Sequence, residues 1–218
     1  MKKLIFVLII SLWACSSQSQ ETQKVSFLDI VKTMVSDPNS VFYYPKLLEK
    51  VKSHPGDLTQ TDVQYLYYGQ IFKIGYDPRH PFDDDRTTFD RYIANGRKKK
   101  VIELGTELLQ KYPVDLTALM YTSKYMKDKK IADTSYFWGN RFDLLLKSIL
   151  GSGDGKSYQT AFIVTSIWDE FIIKGVLGYF GGQDALGGAK DNYGSYCVWN
   201  TPQGKIYFEE IYPAPEKE

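Results

Sequence analysis

Cysteine and histidine are scarce: the chain has two of each, Cys15 and Cys197, His54 and His80. Both histidines precede proline in turn-like sequence, and nothing in their spacing places thiols or carboxylates beside them, so no zinc site is spelled out. An excess of one charge is missing too. The formal net charge of +1 gives no electrostatic case for nucleic acid as a partner. Leu4 to Trp13 is almost wholly apolar but only about ten residues long, too short to span a bilayer as a mature helix. A phosphate-binding loop is also lacking. Gly151 to Ser157 ends in Gly-Lys-Ser, yet Gly151 and Gly155 enclose three residues where that loop needs four, and the surrounding pattern runs from helix to strand rather than from strand to helix. The run Asp83-Asp84-Asp85 lacks the glycine and distal glutamate of a calcium loop and reads as a solvated acidic segment. No metal and no cofactor is implied.

What is present begins at the N-terminus. Met1-Lys2-Lys3 followed by the apolar run has the form of an export signal over residues 1–14. Leu12-Trp13-Ala14-Cys15 resembles a bacterial lipobox, which implies acylation of Cys15 and a membrane-anchored lipoprotein of the cell envelope. Residues 15–24 then form a polar tether. The alternative is ordinary cleavage after the Ser16 to Gln20 run, giving a secreted or periplasmic soluble protein. Loss of residues 1–14 removes Lys2 and Lys3 and leaves 25 basic against 26 acidic residues, a formal charge of −1. With Cys15 acylated, Cys197 has no intrachain disulfide partner, so the fold must rest on its core. An apolar content of 43%, with four Trp, 17 Tyr and 12 Phe, is enough for one.

Lys98 to Leu150 organises the mature chain, with apolar residues at helical spacing in three successive sets: Val101 to Leu109, Leu116 to Met126 and Phe137 to Ile149. Before it, short helices are expected from Ser26, over Lys46 to Lys52, and from a cap at Thr61. In the last of these, Tyr65, Tyr68, Gly69 and Phe72 share a face. Tyr76 to Arg97 reads as a polar insertion. Val114 to Lys147 spans the 34-residue period of a tetratricopeptide repeat. After the Gly151 to Gly155 loop, Thr160 to Trp168 reads as a buried strand, Asp169 to Phe180 as a helix, and Asp184 to Asn192 as a glycine-rich connection. Tyr193 to Trp199 and Lys205 to Ile211 then read as a hairpin about Pro202-Gln203. The expected fold is α+β: roughly six helices in tetratricopeptide-like antiparallel pairs over 25–150, then a small antiparallel β-sheet with a packed helix over 151–218.

Candidate site residues are few. Tyr65, Tyr67, Tyr68, Tyr121 and Tyr125 lie on helices expected to pack side by side, one subset being core and another lining a concave groove for a peptide or protein partner. Asp169 and Glu170 are adjacent carboxylates that suit either acid–base chemistry or the first turn of a helix. Cys197 is a candidate thiol nucleophile or a small core residue. A hydrolase or thiol enzyme using these three is the alternative to a binding protein, and a structural envelope component is a third reading.

Tyr43-Tyr44-Pro45-Lys46-Leu47-Leu48, Leu66-Tyr67-Tyr68-Gly69, Gly153-Asp154-Gly155, Thr160-Ala161-Phe162, Asp169-Glu170 and Ile206-Tyr207-Phe208 carry a family likeness over nearly the whole mature chain. In these the chain resembles an uncharacterised group of exported proteins and lipoproteins common in Bacteroidota, classed as a domain of unknown function. The resemblance implies an envelope address and a single structural unit. It implies no activity, ligand or catalytic residue.

Overall fold

The computed structural model describes residues 27–73, 76, 84–129, 132–190 and 194–212. The segment expected to be an export signal, Cys15, the expected tether, His80, Asp83 and the tail 213–218 lie outside the described residues.

The fold is α+β, with eight α-helices and a four-stranded mixed sheet among the described residues. Helix α1 (27–36) buries Leu28, Val31 and Val35 and stops before Asp37-Pro38. Helix α2 (Tyr44–Ser53) carries Pro45 in its first turn and buries Leu47 and Val51. Helix α3 (Gln60–Gly69) begins two residues earlier than a Thr61 cap would allow. Thr59 is the cap because Asp62 stands three residues after it and closes a capping box, in which each residue's side chain accepts from the other's backbone N–H. Lys50 reaches the same carboxylate at 2.8 Å and ties α2 to α3. Gly69 admits close packing, though its neighbour is α1: a Cβ there would lie 2.7 Å from Val35 Cγ1.

The insertion expected at Tyr76 to Arg97 is in part a helix, α4 (Asp84–Ala94), with Arg86 and Phe89 buried. Helices α5 (Lys98–Lys111), α6 (Leu116–Asp128) and α7 (Ala132–Leu150) follow as the three apolar sets require. Their short connections make neighbours in sequence neighbours in space, and α7 also packs on α3. A Cβ on Gly105 of α5 would lie 2.0 Å from Thr122 Oγ1 on α6 and 3.0 Å from Phe89 of α4, so this glycine lets three helices meet.

Strand β1 (Phe162–Val164) is buried throughout, and helix α8 (Ile167–Val176) starts after the Ser166 cap, two residues before Asp169. The glycine-rich segment expected to be a connection is strand β2 (Gln183–Lys190), with a register shift between Leu186 and Gly188. Glycine removes the alternating side-chain signal and is common at such bulges. Strands β3 (Gly194–Thr201) and β4 (Gly204–Ile211) form the expected hairpin. The sheet order is β1-β4-β3-β2, and β1 joins it parallel to β4, opposing Phe162 to Phe208. One apolar cluster runs from Leu28 through Leu66, Leu116 and Leu145 to Phe162, Phe208 and Ile211, so helices and sheet share a core.

Candidate functional site

Asp169 and Glu170 occupy the first turn of α8, where the unpaired amides and helix dipole favour acidic side chains. Successive positions on a helix do not face one another. Asp169 turns to α3, accepting from the Tyr67 hydroxyl at 2.7 Å, while that hydroxyl accepts from the Thr165 amide at 3.0 Å. Glu170 turns to the sheet, accepting from Trp199 Nε1 at 2.6 Å. The Cys197 thiol lies against it. Lys174, one turn further along, sits 3.2 Å from the centroid of a Trp199 ring and donates to the Gly181 carbonyl at 3.1 Å.

These groups are buried, and burial dominates their titration. It pushes the Asp169 carboxyl up to about 7 against the opposing Tyr67 hydrogen bond, and Glu170 up to about 7 against that from Trp199. Burial, reinforced by the Glu170 charge, pushes the Cys197 thiol well above its ordinary value, which opposes a thiolate nucleophile. Burial lowers Lys174. The carboxylates thus serve different neighbours and do not converge on one reacting centre. His54, the described histidine, is exposed at the end of α2 with Nδ1 2.8 Å from Ser53 Oγ. Among the described residues no cluster of histidine, cysteine and carboxylate could hold a metal ion.

The five tyrosines are not brought to one face. Tyr67 and Tyr68 are core residues, 0% and 1% exposed. Tyr65 stacks on Phe42 with ring centroids 4.2 Å apart. Tyr121 and Tyr125 form a half-buried pair on α6, centroids 6.1 Å apart, with Lys98 over Tyr125.

An open cleft of about 740 Å³ lies elsewhere, between α3, the end of α7 and the loop before β1. Amides of Gln60, Gln64 and Gln159 and hydroxyls of Ser148, Ser152 and Thr160 line it, with Tyr68 and the apolar Phe27 and Ile163. Lys147 and Asp154 are its charged lining residues. Gln60 donates to the Leu144 carbonyl at 2.8 Å and to Ser148, leaving its Oε1 without a partner. The loop is set by backbone needs: Gly155 has φ 67° and a Cβ on Gly153 would lie 2.3 Å from the Thr160 carbonyl oxygen, while the Asp154 and Gly155 amides donate to that oxygen at 2.9 and 2.8 Å. Sequence reasoning missed this cleft because its polar residues come from three distant segments. The local signal available was the concentration of serine, glutamine and threonine around Gly151 to Thr160.

Neither the curated proteins nor the solved structures contain a significant match to this chain. A family model does match residues 29–193, from within α1 through α8 and β2. By that match the chain belongs to the family described as Domain of unknown function (DUF4919).

Proposed function

We propose that the protein is a binding module of the cell envelope, tethered by lipid on Cys15, that takes a short extended peptide in the cleft between α3, α7 and the loop before β1. The observation that carries this reading is the lining: the side-chain amides of Gln60, Gln64 and Gln159 beside the apolar Phe27 and Ile163 around about 740 Å³. Peptide backbones carry N–H and C=O groups that such amides can meet, and a cleft of this size suits a few residues. The export signal and lipobox-like Cys15 support the address. Short connections and successive helix packing support a tetratricopeptide-like organisation of the helical part.

Amide NMR with a panel of uncharged tri- to pentapeptides tests it. Saturable shifts clustered at Gln64, Ser152 and Thr160, abolished by the cleft-filling Gln64→Trp, are expected. Absence of saturable shifts with every peptide at millimolar concentration sinks the proposal.

The enzyme alternative draws support from Asp169 and Glu170, since carboxyls near 7 suit proton transfer. Neither residue lines the cleft.

A further inference from the structure

Arg141, on α7, is 2% exposed. One guanidinium nitrogen donates to the Pro113 carbonyl at 3.3 Å, while Nε is buried without a hydrogen-bond partner. Among the described residues no carboxylate pairs with it, in contrast to the equally buried Arg86, which has Asp115 at 3.2 Å and Asp90 at 3.1 Å. Burial pushes Arg141 down to about 10, which leaves it charged at neutral pH. A desolvated cation whose counterion is missing is strongly unfavourable, so its retention asks for an anion from elsewhere.

The place for that anion is next to it. Arg141 lines a cavity of about 430 Å³ between α2, α5 and α7. Leu109, Phe137 and Trp138 supply apolar walls, Lys52 and Lys111 stand with Arg141 as the cations of the lining, and no carboxylate lines it. Lys111 pairs outward with Asp85 at 3.2 Å. The Pro113 carbonyl takes Nη1 and Nε is sealed from solvent, so a ligand would meet the guanidinium as a charge at the pocket wall, where a carboxylate is the matching group. A fully hydrated anion such as phosphate would gain nothing from the aromatic and leucine walls. An acid with an apolar body would satisfy both parts of the pocket.

We propose that the pocket between α2, α5 and α7 binds a small monocarboxylate with an apolar body, the carboxylate beside the Arg141 guanidinium and the body against Leu109, Phe137 and Trp138. This site is separate from the peptide cleft and does not depend on it.

The test compares 3-phenylpropionate, its neutral analogue 3-phenylpropanamide and inorganic phosphate, read by thermal shift and tryptophan fluorescence of the purified protein. Only the carboxylate should raise Tm in a saturable, concentration-dependent way and perturb the emission. Arg141→Met, of similar length without charge, should match or exceed the unliganded Tm and weaken the carboxylate response at least about tenfold, the order expected for loss of a charge-assisted contact. An equal response to the amide, an equal response to phosphate, or no response to the carboxylate at millimolar concentration overturns the proposal. These three arms use the unaltered protein, so they decide the matter even where Arg141→Met fails to fold.

Discussion

Glu170 is 0% exposed and titrates near 7 because burial disfavours its charge. A carboxyl whose folded pKa lies above its unfolded value stabilises the fold when protonated. That contribution is complete below the unfolded value, near the ordinary range, and is lost as pH rises toward about 7. Asp169 acts in the same sense. The protein should therefore be more stable at pH 5 than at pH 8. Glu170→Gln keeps an acceptor for Trp199 and removes the ionisation, so it should flatten this dependence. The shift from 4.5 to about 7 sets the effect at up to about 3 kcal/mol. Urea denaturation of both proteins across that range measures it, and parallel pH profiles for the two would contradict the assignment. The sequence displayed Asp169 and Glu170 as neighbours. It did not display that a helical turn sends one to Tyr67 and the other to Trp199, since that division depends on segments about 30 and 100 residues away.

At the scale of elements, α4 is held by a buried charge pair. Arg86 joins Asp115 at 3.2 Å, and Asp115 also caps α6 by accepting from the Ala118 amide at 3.0 Å. Arg86→Met strands that carboxylate and should cost about 3–5 kcal/mol. Adding Asp115→Asn, which caps well and carries no charge, should return most of the loss; purely additive losses in the double variant would show that the pair is not coupled. The same helix explains what was legible. Helices α5, α6 and α7 declared themselves through repeated apolar positions, whereas α4 reads as polar because its inward face holds Arg86 beside Phe89. Strand β2 was hidden by its glycines, and the Thr59 cap by Thr61 two residues on. The cleft joins Gln60, Ser148 and Thr160, which no local pattern connects.

For the whole molecule, the family match stops at residue 193, before β3 and β4. The core does not stop there: Ile206, Phe208 and Ile211 of β4 are at most 1% exposed and lie in the same cluster as the helices. A chain ended after residue 193 deprives β1 and β2 of their partners. It should lose cooperative thermal unfolding and bind hydrophobic dyes; a sharp transition near the full-length Tm would show that the helices stand without the hairpin. The parallel pairing of β1 with β4 has a further consequence in time. Phe162 meets Phe208 only after the 45 intervening residues have been delivered, so the sheet closes last, when the C-terminal strand arrives. A chain threaded through a membrane channel from its N-terminus would keep this part of its fold open until transit is nearly complete.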